Sequence, residues 1–216
     1  MNRAVVPAHI LTSLRFVSGN PAAVDLAAIK TETVRKAIHF LIALSPGMAA
    51  VNHAFTIGLL MAGILFYVCV ECFRLAGVQV PLVSRITKLA SRGRDDNRFV
   101  LGPVTLGIGA LLALLFYPAP ASAIAIYALA FGDGFASLAG KLYGNIRPSF
   151  MMGKSIEGST ACFIAVLASA FLVSHSFPTA IVAAIVGTVV EALPLEDYDN
   201  IALPVSVGLV VQFIPL

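Results

Sequence analysis

The stretch PASAIAIYALAFGDGFASLAGKLYG, residues 120–144, decides the fold. Its first half is apolar enough for a helix that crosses a membrane, and its second half places Asp133 and Lys141 among small residues. A charged side chain in or beside lipid is costly, and such residues usually mark a site. A second polar cluster, GKSIEGS at residues 153–159, follows after residues 145–152. We therefore expect a membrane helix that ends in a functional site.

The composition of the chain excludes an ordinary soluble domain. Of its 216 residues, 59% are hydrophobic and 12% are charged, and the mean hydropathy is +0.94. Such values are typical of polytopic membrane proteins. Since a helix needs about 20 apolar residues to cross the hydrocarbon core, the sequence predicts an all-α, polytopic membrane helical bundle with about seven transmembrane helices. The predicted spans are about 37–52, 54–73, 99–117, 120–140, 159–175, 177–193 and 201–215.

The distribution of charge predicts the orientation. All 14 Lys and Arg residues lie before the first predicted span, between spans two and three, or between spans four and five. Because short cytoplasmic loops carry the excess of basic residues, we expect a cytoplasmic N-terminus. The acidic residues follow the same side, which indicates a pocket for a polar ligand at the cytoplasmic face. Residues 78–98 have the pattern of an interfacial helix, with a solvated loop as the alternative.

The first candidate site is the Gly-Asp-Gly sequence around Asp133. A carboxylate inside the membrane boundary needs a cation partner, a metal or a proton. The small residues that follow, including Gly140 and Gly144, also fit close packing of helices. Packing explains the glycines, but it does not explain Asp133.

The second candidate site is the cluster at residues 153–159. Its glycines let a backbone approach a ligand closely, and the free N–H groups at the start of a helix favour phosphate. Lys154 supplies a point charge, and Ser155 or Ser159 supplies a hydroxyl. The spacing is not that of a Walker A loop. A plain helix cap at Ser155 is the alternative interpretation.

The third candidate site surrounds the end of the sixth predicted span. Glu191, Asp199 and Asn200 offer the hard oxygen ligands that Mg²⁺ prefers, and a solvated acidic turn is the alternative. Two smaller polar groups lie at the cytoplasmic ends of the first two spans. Their members, which also fit topology determinants or a simple ion pair, are Arg35, Lys36, His39, Glu71 and Arg74.

Together these motifs resemble the CTP-dependent lipid-alcohol kinases, a family that includes dolichol, phytol and farnesol kinases and the CTP-using diacylglycerol kinase of yeast. The resemblance covers about residues 33–210. The motifs that carry it are Arg35-Lys36-x-x-His39, Glu71-x-x-Arg74, Gly132-Asp133-x-x-Ala136-x-x-x-Gly140, Lys154-Ser155-x-Glu157-Gly158-Ser159 and Glu191…Asp199-Asn200…Pro204.

The resemblance implies an integral membrane kinase. It would transfer the γ-phosphate of CTP to the hydroxyl of a membrane lipid alcohol, such as a polyprenol, phytol or geranylgeraniol, at the cytoplasmic face. Residues 1–34 would form an amphipathic or partly ordered cytoplasmic segment, and residues 35–216 the transmembrane catalytic domain. The expected partners are CTP, the lipid alcohol and the bilayer, without nucleic acid, and the oligomeric state stays open.

Two alternative functions also fit the sequence. A related pattern occurs in phosphatidate cytidylyltransferase, so a CTP-dependent enzyme that makes a CDP-lipid is one alternative. A small ion-coupled transporter, with Asp133 and Glu191 as ion or proton sites, is the other. Against the transporter, no convincing inverted repeat is visible.

The kinase hypothesis assigns a role to each candidate residue. Phosphoryl transfer requires mainly positioning and charge neutralisation. The expected catalytic residues are Asp133, Lys154 and Asp199. The expected nucleotide-binding residues are Arg35, Lys36, Gly132, Gly134, Lys141, Gly153, Lys154, Ser155, Glu157, Gly158, Ser159 and Asn200. The expected Mg²⁺ ligands are Asp133, Glu157, Glu191 and Asp199, and His39, Glu71 and Arg74 are further candidate site residues without an assigned role. Asp133 or Asp199 would accept the alcohol proton.

Overall fold

A computed structural model describes residues 26–77 and 98–214, with side chains from residue 31 onward. The described residues form nine α-helices and no strand, so the predicted all-α class is confirmed for them. The helices are α1 (Leu26–Phe40), α2 (Ser45–Val51), α3 (His53–Leu75), α4 (Gly102–Phe116), α5 (Ala121–Tyr127), α6 (Gly134–Tyr143), α7 (Ile156–Ser174), α8 (Phe177–Ala192) and α9 (Asp199–Val211). A π-helical segment, Ala128–Asp133, joins α5 to α6 without a break.

Four helical stretches of the described chain are long and apolar enough to cross a membrane. They are Thr31–Val51, His53–Leu75, Ala121–Tyr143 and Ile156–Ser174. Two further apolar helices, Gly102–Phe116 and Phe177–Ala192, are shorter. The membrane character is thereby supported, whereas the count of seven spans and the cytoplasmic N-terminus stay predictions. The predicted interfacial helix at 78–98 lies almost wholly outside the described residues.

The stretch Ala121–Tyr143 lies at the centre of the bundle. More than half of its most apolar window (56%) is buried inside the protein, compared with 17% in His53–Leu75. Ile124, Ile126 and Leu129 are completely buried. The outer helix α3 instead exposes large apolar side chains, as a surface in contact with lipid does. A charged residue is therefore best tolerated on the central stretch, where protein replaces lipid around it.

Two glycines that flank Asp133, at the end of the π-helical segment, let α1 and α7 pack closely against the central stretch. Such segments often occur at functional sites, and this one ends at Asp133. A Cβ atom on Gly134 would lie 2.3 Å from Cε1 of Phe40, and one on Gly132 would lie 2.7 Å from Cγ2 of Val166. Both contacts are too close for any side chain. These two glycines thus serve helix packing.

Candidate functional site

Asp133 is held in a buried network with two residues of α1. The ammonium of Lys36 donates to Oδ2 of Asp133, and Nε2 of His39 lies 3.3 Å from the same oxygen. His39 also donates to the carbonyl oxygen of Leu129 at 2.9 Å. All three charged or polar side chains are buried. The partner that Asp133 requires is therefore a lysine in this structure.

Lys154 brings the second and third predicted clusters together. Its ammonium donates to the carbonyl oxygen of Glu191 and lies 3.5 Å from Oε1 of that residue. The same nitrogen lies 3.4 Å from Oδ2 of Asp199. Ser159 donates to Oε2 of Glu191 at 3.1 Å. The Lys154 ammonium, just before α7, therefore contacts both the end of α8 and the start of α9.

Asp199 has the electrostatic surroundings of a group that exchanges protons near neutral pH. Burial and the negative charge of Asp133 together raise the pKa of Asp199 to about 6, against the opposing effect of Lys154. A carboxyl group with such a pKa is suited to general acid–base chemistry.

A third ionic cluster centres on Glu32, which the sequence analysis did not assign to the site. Its carboxylate is 1% exposed, accepts a hydrogen bond from Nε of Arg35 at 3.2 Å, and lies 2.6 Å from the ammonium of Lys141. Helix α1 begins at Leu26, so the predicted boundary between residues 34 and 35 falls inside a helix. The Glu32-x-x-Arg35 spacing, which places two charges on one helix face, was the available signal.

The three clusters border one cavity of about 370 Å³. Ten of the predicted site residues line it: Arg35, Asp133, Lys141, Gly153, Lys154, Ser155, Gly158, Glu191, Asp199 and Asn200. The lining residues that the sequence analysis did not assign to the site include Glu32, Ser137, Arg147 and Glu196. The cavity wall thus carries both signs of charge at close range.

Several predicted site residues do not line the cavity. Lys36 and His39 lie behind Asp133, and Ser159 is engaged with Glu191. Glu157 accepts hydrogen bonds from the backbone N–H groups of Asn145 at 3.0 Å and Ile146 at 3.1 Å. Its carboxylate is therefore occupied by the loop before α7. Gly132 and Gly134 likewise lie outside the cavity lining.

Glu71 and Arg74 form the ion pair that the sequence analysis kept as an alternative. Nε and Nη2 of Arg74 each lie 2.8 Å from an oxygen of Glu71. Glu71 also accepts from the backbone N–H of Val100 at 2.8 Å, and Arg74 donates to the carbonyl oxygen of Arg98 at 2.7 Å. The pair fastens the end of α3 to the residues before α4, outside the cavity lining.

Asn200 is anchored at the cavity by α4. Its amide nitrogen donates to Oγ1 of Thr105 at 3.0 Å, and the residue is 5% exposed. A Cβ atom on Gly109 would lie 2.0 Å from the backbone oxygen of Asn200. Because α4 and α9 touch through this glycine, the start of α9 is placed closely against the bundle.

The carboxylates of the cavity suit a metal ion that arrives with phosphate. Among the described residues, no group of three or more His, Cys, Asp and Glu side chains is placed to hold a metal ion by itself. Mg²⁺ bound with a nucleotide needs only one or two carboxylates, since phosphates and water complete its shell. Asp133, Glu191 and Asp199 all line the cavity. The donor set therefore fits Mg²⁺ carried by a phosphate ligand.

The fold and the cavity define a class: a helical membrane protein with a buried, ion-paired polar site among its helices. The curated proteins that this chain resembles in sequence are named probable phytol kinases, which supports the resemblance to lipid-alcohol kinases. A "probable phytol kinase, chloroplastic" of Triticum aestivum is 29% identical over 160 residues, which are 65% of this chain and 53% of that protein. "Probable phytol kinase 1, chloroplastic" of Oryza sativa subsp. japonica is 26% identical over 156 residues, 63% of this chain and 50% of that protein.

A third relative shows the same relationship. "Probable phytol kinase 1, chloroplastic" of Glycine max is 27% identical over 172 residues, 68% of this chain and 56% of that protein. The chain thus spans about half the length of the curated relatives it matches. No family model matches the chain, and no solved structure matches it significantly.

Proposed function

We propose that the protein is a membrane kinase that transfers the γ-phosphate of CTP to the hydroxyl of a membrane lipid alcohol at the cytoplasmic face. The observation that carries the proposal is the convergence of Lys154, Glu191 and Asp199 in one cavity. A cation beside two carboxylates matches the needs of phosphoryl transfer, which are charge neutralisation and positioning. The similarity to phytol kinases supports the choice of a lipid alcohol as acceptor.

In this mechanism the residues that line the cavity have different roles. Lys154, Lys141 and Arg35 neutralise phosphate oxygens, because each lines the cavity with a positive charge. Asp133 and Glu191 are the carboxylates that would hold Mg²⁺, which when bound neutralises the charge of the phosphates. Asn200, anchored on Thr105, orients a ligand at the start of α9.

Asp199 is the proposed proton acceptor. Both carboxylates line the cavity, but Asp133 forms a buried ion pair with Lys36, whereas Asp199 has a raised pKa. The alcohol gives its proton to the Asp199 carboxylate, and its oxygen bonds to the γ-phosphorus. The bond from the γ-phosphorus to the bridging oxygen breaks, and CDP leaves with that oxygen.

Purified protein with CTP labelled in the α- or the γ-phosphate tests this proposal. Phytol, geranylgeraniol, a polyprenol, diacylglycerol and phosphatidic acid serve as acceptors, each in detergent and in vesicles. We expect γ-label, and no α-label, in the product lipid. Transfer of α-label would indicate a CDP-lipid synthase instead. Failure to label any lipid, with ion flux through reconstituted vesicles, would favour the transporter.

A further inference from the structure

The loop that carries Lys154 has little regular structure of its own. Between α6 and α7 the only helical turn is Ser149–Met151, and the backbone then passes through positive φ at Met152 (44°) and Gly153 (97°). A long side chain on such a loop pays conformational entropy whenever it is held in one place. Something must therefore order the loop if Lys154 is to stay beside Glu191 and Asp199.

Arg147 ties this loop to the end of α6. Its guanidinium donates to three backbone carbonyl oxygens: that of Gly140 at 2.7 Å, that of Gly144 at 3.3 Å, and that of Gly153. The carbonyls in the last turn of a helix lack partners within the helix, and basic side chains often satisfy them. Since Gly153 directly precedes Lys154, the Arg147 side chain links the end of α6 to the backbone next to Lys154.

Glu157 ties the other side of the same loop. Its carboxylate, in the first turn of α7, accepts from the N–H groups of Asn145 and Ile146. The backbone N–H of Ile156 in turn donates to the carbonyl oxygen of Ile146 at 3.0 Å. Arg147 therefore binds backbone carbonyl groups and Glu157 binds backbone amide groups. Together the two side chains fix both ends of the loop between α6 and α7.

The packing under this loop requires glycine. A Cβ atom on Gly144 would lie 2.2 Å from the carbonyl oxygen of Gly140, 2.7 Å from Oγ of Ser155 and 2.9 Å from Nη2 of Arg147. The end of α6, the capping serine of α7 and the guanidinium thus meet at one point. The contact is specific to the loop geometry and is independent of any ligand.

We infer that Arg147 and Glu157 are positioning residues that brace the loop between α6 and α7, and that they act on nucleotide binding through Lys154. The rival role for Arg147 is direct contact with phosphate, because it lines the cavity and carries a positive charge. Each of its three guanidinium nitrogens already donates to a backbone carbonyl. The identity of the ligand rests on the proposed function, but the brace does not.

A double-mutant cycle on the binding of CTP with Mg²⁺ separates the two roles. Arg147→Gln is expected to weaken binding about tenfold when Lys154 is present and by less than about twofold in the Lys154→Met background, because residues that act through one another are not additive. Arg147→Lys keeps the charge but offers one nitrogen in place of three, so it should behave like Arg147→Gln. Equal weakening in both backgrounds, or full binding by Arg147→Lys, would overturn the inference.

Hydrogen exchange of the loop amides tests the brace without any nucleotide. Glu157→Ala should speed exchange at Asn145 and Ile146, and Glu157→Gln, which keeps an acceptor oxygen, should recover much of the protection. Thr160→Ala, one turn further along α7, is the matched control and should leave these amides unchanged. Unchanged exchange in Glu157→Ala would refute the brace. Wild-type protein that binds no CTP, with the exchange pattern as expected, would refute the proposed function alone.

Discussion

Lys36 and Asp133, 97 residues apart in the sequence, form an ion pair that is almost completely excluded from solvent. The pair joins α1 to the central stretch of the bundle at the end of its π-helical segment. Removing two charges from water is expensive, and their mutual attraction offsets that cost only while both are present. The loss of one partner therefore has a larger effect than the loss of both.

Asp133→Asn is expected to lower stability as well as activity. The substitution leaves the Lys36 ammonium buried without its carboxylate, at a cost of about 3–5 kcal/mol. Thermal unfolding in detergent should show a clear loss, whereas the double variant Lys36→Met, Asp133→Leu should recover much of it and stay inactive. A single variant that melts like the wild type would show that the pair contributes no stability.

Lys154→Met is expected to lower the rate of CTP-dependent phosphorylation by about 10²–10³-fold, the range seen when a preorganised group that stabilises transition-state charge is removed. The fold should persist, because Lys154 is partly exposed and sits at the cavity rather than in the core. The measurement is kcat with γ-labelled CTP, together with a melting curve. A variant with wild-type kcat would remove Lys154 from the mechanism.

Gly109→Ala is expected to disturb the start of α9. The new methyl group would lie 2.0 Å from the backbone oxygen of Asn200, and overpacking of this kind costs about 1–3 kcal/mol. Gly58→Ala is the control, since a Cβ atom there meets nothing within 4 Å. We expect lower stability and a lower kcat for the first variant only, measured side by side. Equal behaviour of the two variants would contradict the close contact between α4 and α9.

Lys141→Gln is expected to raise KM for CTP by about tenfold, the effect of losing one charge-assisted contact to phosphate. Lys141 is 37% exposed, and its buried partner Glu32 keeps Arg35 as a cation partner, so the fold should tolerate the change. The difference from wild type should shrink as salt is added, because exposed charges are screened. Lys141→Arg keeps the charge and should retain most of the affinity. An unchanged KM in the glutamine variant would exclude a phosphate contact.

The amino-acid sequence predicted the parts of the structure that follow from composition and local spacing. Hydropathy indicated the central membrane stretch, and the charge of Asp133 within that apolar stretch indicated a site residue. The same kind of reasoning predicted Lys154 and Asp199 as site residues, and the structure places them 3.4 Å apart. The helix cap that the sequence allowed at Ser155 is present, because the Ser155 hydroxyl accepts a hydrogen bond from the backbone N–H of Gly158.

The remaining features depend on contacts between distant segments, which spacing does not reveal. Glu32 was not predicted as a site residue because it lies in a segment of mixed polarity, and its contact with Lys141 of α6 is visible only in the structure. The sequence predicted Gly132 and Gly134 as nucleotide-binding glycines. In the structure, side chains from α7 and α1 fill the space beside them. The sequence predicted Glu157 as a Mg²⁺ ligand. In the structure its carboxylate accepts from two backbone amides of the loop before α7.

The ion pairs around the cavity make it resemble an ion-exchange resin in its neutralised form. Glu32 already holds Arg35 and Lys141, and Glu191 with Asp199 already holds Lys154. Under the proposed function, an incoming phosphate would displace a carboxylate from its cation, so we expect a singly charged ion to gain little from entry. We expect a ligand with several adjacent charges to displace both carboxylate groups at once, and a neutral alcohol to displace neither. The ion pairs would then make the cavity select its ligand by charge density.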